Sequence, residues 1–207
     1  MNELISIVIA TTNKGKTAEI GEMLKDFPVH IKNLGDFGPI PEIEEDGDTF
    51  DENAYKKASM TARMLGVPAL ADDSGLLVES LGGAPGVYSA RYAGEKATDQ
   101  QRCEKLLKEM KGKTNRKAAF ECVISIAVPT GPALTYEARC EGLIAEKPFG
   151  NNGFGYDPVF FFPPLKKTFA ELSRTEKSRV SHRGKALYEF KEEFDKVLTW
   201  LRLHIPE

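Results

Sequence analysis

Two adjacent carboxylates, Asp72 and Asp73, follow the apolar run Ala69-Leu70-Ala71 and precede Ser74 and Gly75. The run reads as a buried strand with the acids on a glycine-ended turn at its end, and strand ends feeding loops are where α/β proteins place reacting groups. A carboxylate pair there suits holding a divalent cation or taking a proton from water. The alternative is a solvated Asp-Asp turn whose side chains hydrogen-bond their own backbone.

A second group, Thr11-Thr12-Asn13-Lys14-Gly15-Lys16, packs hydroxyls, an amide, a glycine and two ammonium groups into six residues. It follows an apolar strand candidate over residues 4–10 and precedes Ile20, Met23, Leu24 and Phe27 at helical spacing. Such a loop presents free N–H groups and the positive end of a helix dipole, which is chemistry for a phosphate. The spacing is not that of a Walker loop, and an N-capping loop with solvated lysines is the plainer reading.

Two later clusters carry rings and donors. Gly150-Asn151-Asn152-Gly153-Phe154-Gly155-Tyr156-Asp157-Pro158 surrounds an aromatic pair with three glycines, so a ring can stand clear of the core and stack on a base. Glu176-Lys177-Ser178-Arg179-Val180-Ser181-His182-Arg183-Gly184-Lys185 gathers donors ahead of a long amphipathic helix, with Ser181 as its N-cap.

The elements that must position these groups alternate between strand and helix. Phe50, Ala54, Ala58, Ala62 and Leu65 trace a helix face that Gly66-Val67-Pro68 stops. Leu134, Tyr136, Ala138 and Cys140 alternate with polar residues, as a half-buried strand does. That strand pairs through Pro129-Thr130-Gly131-Pro132 with one carrying Phe120, Cys122, Ile124, Ile126 and Val128, so the sheet is mixed. The closing helix buries Leu187, Phe190, Phe194, Val197, Leu198 and Leu201. The expected fold is α/β, a mixed central sheet flanked by helices, in two lobes with the active-site cleft between them, forming one domain over residues 1–207.

Composition narrows the setting. A net charge of −3, from 28 basic and 31 acidic residues, argues against a nucleic-acid partner, which calls for a basic excess. Cys103, Cys122 and Cys140 are odd in number and lie in apolar patterns, so buried thiols in a reducing, cytoplasmic compartment are expected. No apolar run approaches the ~20 residues that span a bilayer, and Met1-Asn2-Glu3 opens no signal-peptide pattern. Seven acids crowd into eleven positions (Glu42, Glu44, Glu45, Asp46, Asp48, Asp51 and Glu52), a density that needs a metal or lysines nearby.

In order, the loop from Thr11 to Lys16, Ala71-Asp72-Asp73-Ser74-Gly75-Leu76, Leu81-Gly82-Gly83-Ala84-Pro85-Gly86-Val87-Tyr88-Ser89-Ala90-Arg91-Tyr92, Phe154-Gly155-Tyr156-Asp157-Pro158 and Ser181-His182-Arg183-Gly184 resemble the inosine/xanthosine triphosphate pyrophosphatase family across essentially the whole chain. The resemblance implies a hydrolase that splits ITP, dITP and XTP into nucleoside monophosphate and pyrophosphate, removing them from the nucleotide pool. It also implies that Glu44 joins Asp73 in holding Mg2+, and that Thr11, Thr12, Asn13, Lys14, Gly15, Lys16, Lys57 and Ser74 contact the substrate. Phe154, in the segment with Gly155, Tyr156 and Asp157, would stack on the purine while Lys177, His182 and Arg183 face its 6-oxo group, and the protein would be a homodimer.

A triphosphate carries about four negative charges, so Mg2+, Lys16 and Lys57 must be in place before a carboxylate is tolerated beside it. Asp73 is then the group expected to activate or orient the water that attacks the α-phosphorus. Two other readings stand beside this one: a Maf-like pyrophosphatase for modified pyrimidine nucleotides, against which the Ser181-His182-Arg183-Gly184 block argues, and a nucleotide-binding sensor without turnover.

Overall fold

The computed structural model describes residues 4–11, 14–41 and 43–205. Strand β1 (Ile5–Ile9) runs into helix α1 (Lys14–Leu24) and returns through β2 (Val29–Asn33), and α2 (Phe50–Leu65) then leads to β3 (Ala69–Val78). Ile7, Val8 and Ile9 are all buried, so β1 is covered on both faces as an interior parallel strand must be. It pairs in parallel with β2, Ile5 opposite Val29, and with β3, Val8 opposite Ala69.

Helix α2 has the start and stop that its sequence calls for. The Thr49 side chain accepts from the N–H of Glu52, the Glu52 carboxylate accepts from the N–H of Thr49, and Gly66 ends the helix at φ +68°. Its buried residues are small apart from Phe50 and Asn53, and Ala58 and Ala62 lie in one cluster with Val8, Ala69 and Ala71 of β1 and β3. Small side chains there let the helix pack closely on the strands.

Helix α3 (Asp99–Glu109) precedes β4 (Lys117–Ala127) and β5 (Ala133–Ile144), followed by the short β6 (Phe160–Phe162) and β7 (Lys167–Thr168). The sheet order is β2-β1-β3-β4-β5-β6-β7, with β5–β6 and β6–β7 antiparallel, so the sheet is mixed as expected. Three helices close the chain: α4 (Arg174–Val180), α5 (His182–Glu192) and α6 (Phe194–His204).

Contacts divide the chain into two compact units, one of residues 1–73, 123–137 and 186–207, the other of residues 74–122 and 138–185. The first holds the alanine-rich cluster of α2; the second has an aromatic core in which Phe120, Phe160 and Phe169 pack ring on ring. Each unit is assembled from separated segments, so no composition shift along the sequence marks a boundary.

Two local expectations change. Asp72 and Asp73 lie inside β3 instead of on a turn at its end, because Leu76, Leu77 and Val78 extend the apolar pattern beyond Gly75, whose φ is not positive. The closing helix is two helices, interrupted at Glu193, although Leu187, Phe190, Phe194, Val197, Leu198 and Leu201 are buried as the periodicity requires.

Candidate active site

Strand geometry decides how the two acids are used. Successive strand side chains face opposite ways, and Asp72 and Asp73 pair with different lysines. Asp72, only 7% exposed, accepts from Lys16 Nζ with both oxygens, at 2.8 and 2.9 Å. Lys57 Nζ takes the other side, 3.8 Å from Asp73 Oδ1, and donates to Glu45 Oε1 and to the main-chain carbonyl of Asp72, both at 2.7 Å. Burial alone would lower the Lys57 pKa, but the carboxylates of Asp73, Glu45 and Asp72 together hold it above the ordinary lysine value. Lys57 is therefore a fixed cation at neutral pH.

The acidic segment ahead of α2 is compensated by lysines and by the helix itself. Glu45 pairs with Lys57 and Asp46 with Lys56, while Glu52 caps the N–H groups of Asp48 and Thr49 and Asp51 lies in the first turn, where a helix dipole favours negative charge. Glu44 is exposed. The residue that reaches the Lys57–Asp73 corner is Glu45, and nothing in a row of seven acids distinguishes it by sequence.

In the first loop, the N–H of Thr11 donates to the Ile9 carbonyl at 2.8 Å. Thr12 and Asn13 lie outside the described residues, as does the side chain of Lys14. Lys14 and Gly15 open α1, whose first turn carries no acid.

The second unit holds the aromatic and donor groups. Phe154 is 56% exposed, with Lys177 Nζ 4.6 Å and Arg183 Cζ 5.6 Å from its ring centroid. Asp157 ion-pairs with Lys177 and accepts from the Phe154 N–H at 2.9 Å. Burial pushes its pKa up, against the opposing pull of Lys177. Gly153, at φ +78°, has no room for a side chain, because a Cβ there would overlap Asp157 Oδ2. Arg183 Nη2 donates to Ser74 Oγ at 3.2 Å, which brings its guanidinium to the residue that follows Asp73 in β3.

Other expected contact residues face inward. The Tyr156 ring is buried, with its hydroxyl donating to the Ser89 carbonyl at 2.9 Å. His182 is 6% exposed and stacks on Phe120 with centroids 4.6 Å apart. Ser181 caps α5 by accepting from the Gly184 N–H at 3.1 Å, and a Cβ at Gly184 would collide with the Ser178 carbonyl. Arg183 thus starts from a rigid corner. A cavity of about 650 Å³ lined by Val78, Lys117, Arg139 and Pro163, among others, includes none of these groups.

Among the described residues no group of three or more His, Cys, Asp and Glu side chains could hold a metal alone. Asp73 and Glu45, both on Lys57, still match Mg2+ as nucleotide enzymes use it, bound by one or two carboxylates and completed by phosphate oxygens and water.

The Ham1 family model matches residues 7–193. The chain is 64% identical over 195 residues to the dITP/XTP pyrophosphatase of Syntrophobacter fumaroxidans, covering 94% of this chain and 84% of that protein. It is 61% identical over 201 residues to the dITP/XTP pyrophosphatase of Desulfotalea psychrophila, covering 97% and 90%. The structure of a HAM1 protein from Coxiella burnetii superimposes with a TM-score of 0.89 at 44% identity, covering 95% of this chain and all of that one.

Proposed function

For a chain that belongs to the Ham1 family, we propose hydrolysis of deaminated purine nucleoside triphosphates (ITP, dITP and XTP) to the nucleoside monophosphate and pyrophosphate. One observation carries the assignment to this site: β3 bears an acid pair held by two lysines, and its next residue, Ser74, bonds the arginine beside an exposed ring. The acid pair and the serine that bonds Arg183 are consecutive residues of β3. The dITP/XTP pyrophosphatase name borne by relatives at 64% and 61% identity supports the same reading.

The geometry supports these residue roles. Lys16 and Lys57 neutralise the phosphate oxygens, aided by the N–H groups that open α1. Asp73, beside Lys57, takes a proton from the water that attacks the α-phosphorus in line with the bond to the departing pyrophosphate. Asp73 with Glu44 or Glu45 would hold Mg2+, which when bound supplies charge neutralisation on the phosphates.

Phe154 offers a face to the purine, and Lys177 and Arg183 offer donors to its 6-oxo oxygen. Adenine presents a donor at that position, so it leaves the site's own donors unpaired. Such a mismatch supports discrimination on the order of 10^4. The reading includes a homodimer in the cytoplasm, acting on the free nucleotide pool without nucleic-acid or membrane partners. Among the described residues no helix is long and apolar enough to cross a membrane. The direct test is pyrophosphate release from ITP and XTP, with ATP as the comparison.

A further inference from the structure

The ring of Phe154 is exposed, yet the backbone beneath it is tied down from a helix that carries none of the groups described above. Asp99, the first residue of α3, accepts the N–H of Gly155 on Oδ2 at 2.6 Å. Its other oxygen holds the guanidinium of Arg102, whose Nη1 also donates to the carbonyls of Ala90 and Ala97, each at 2.7 Å. One turn along, Cys103 Sγ donates to the Gly155 carbonyl at 3.4 Å. Burial raises the Cys103 pKa to about 11, so that proton is present at neutral pH.

Both polar groups of Gly155 are thus fixed by α3. Gly155 sits at φ +61°, a conformation that costs it nothing and gives the following peptide little reason of its own to stay in one place. A carboxylate braced by an arginine is a stronger anchor than a neutral acceptor.

We propose that Asp99 is a positioning residue for base recognition, acting through the main chain of Gly155 to hold the Phe154 ring beside Lys177 and Arg183. This rests on the assignment of Phe154 as the stacking surface for the purine. Asp99 touches neither the phosphates nor the attacking water in that assignment, so its loss reaches binding and selectivity before the chemical step.

The test compares Asp99→Ala, Asp99→Asn and Phe154→Ala by steady-state kinetics with ITP and ATP. Asp99→Ala is expected to raise KM for ITP about tenfold and to lower the ITP:ATP ratio of kcat/KM by a similar factor, with kcat for ITP within about threefold. Asp99→Asn is expected to recover most of the ratio, because its amide oxygen still accepts the Gly155 N–H while Arg102 keeps two carbonyls. Should Asp99→Ala not fold, Asp99→Ser, too short to reach Gly155, takes its place.

An unchanged KM and ratio in Asp99→Ala would overturn the proposal when Phe154→Ala collapses the ratio. So would equal losses of kcat with both nucleotides. If Phe154→Ala itself leaves the ratio intact, the stacking assignment fails, and the inference with it.

Discussion

Asp72 and Asp73 are consecutive in β3 but belong to different lysines, Asp72 to Lys16 at 2.8 Å and Asp73 to Lys57 at 3.8 Å. Strand alternation separates the two carboxylates, and the helices after β1 and β2 each deliver one cation. The shorter, two-oxygen contact makes Asp72 a holder of Lys16. The longer one belongs to Asp73, the acid proposed to take the proton from water.

Replacing Asp73 by Asn should therefore lower kcat by about 10^3, within the range for a general base, while nucleotide affinity stays within about tenfold. Single-turnover kinetics beside equilibrium binding would check it. Ordinary turnover in Asp73→Asn would remove Asp73 from the chemistry.

Lys16→Ala and Lys57→Ala should each weaken triphosphate binding about tenfold to a hundredfold, the range of a lost charge-assisted hydrogen bond, and affect monophosphate binding far less. Calorimetric titration with ITP and IMP separates the two. Equal losses would mean that the lysines act away from the β- and γ-phosphates.

Stability should follow the same pairing. Lys16→Met removes the cation that Asp72 holds with both oxygens, at a cost of about 3 kcal/mol, the low end for breaking such a pair because the Lys16 side chain is 24% exposed. Adding Asp72→Asn should recover most of that loss in thermal unfolding. A double variant no more stable than Lys16→Met alone would show that Asp72 is stabilised by something else.

The cysteines make a pH prediction. Burial raises the pKa of Cys103 and of Cys140 to about 11. An unfolded thiol titrates near 8.5, so between about 8.5 and 11 the native protein holds protons that the unfolded chain gives up. Stability should be level below pH 8 and fall as pH rises through that window, as denaturant titrations at pH 7.5, 9 and 10 would show. Flat stability from pH 8 to 10.5 would contradict it.

Much of this frame was legible because local rules agree with the fold. The Thr49–Glu52 capping box, the Gly66 stop and the alternation through Tyr136 and Cys140 all form as their spacing requires. The end of β3 was misplaced because Asp-Asp-Ser-Gly carries strong turn chemistry, and pairing within the sheet overrides it. The break at Glu193 has no glycine or proline to announce it, and the apolar stripe runs through it unchanged.

Within the candidate site, Lys16, Lys57 and Phe154 could be proposed from residue type alone. Glu45 and Asp99 could not, because their roles depend on which partner lies 12 or 56 residues away. The burial of His182 and Tyr156, the one stacked on Phe120 and the other bonded to Ser89, was equally illegible, because it depends on partners far along the chain.

Arg183 bonds Ser74 and lies beside the exposed Phe154 ring. Arg183→Ala should lower kcat/KM for ITP and XTP while hardly changing the poor rate with ATP, so the ITP:ATP ratio collapses. A uniform loss across nucleotides would make Arg183 a phosphate or fold contact and leave selectivity to Phe154 and Lys177.

Pyrophosphate released from ITP, dITP, XTP and ATP by the purified protein with Mg2+, and again after chelation, is the decisive measurement. The account predicts one pyrophosphate per monophosphate formed, rapid with the three deaminated purines, slower with ATP by a factor on the order of 10^4, and lost on chelation. Release of orthophosphate in place of pyrophosphate, or equal rates with ITP and ATP, would contradict it.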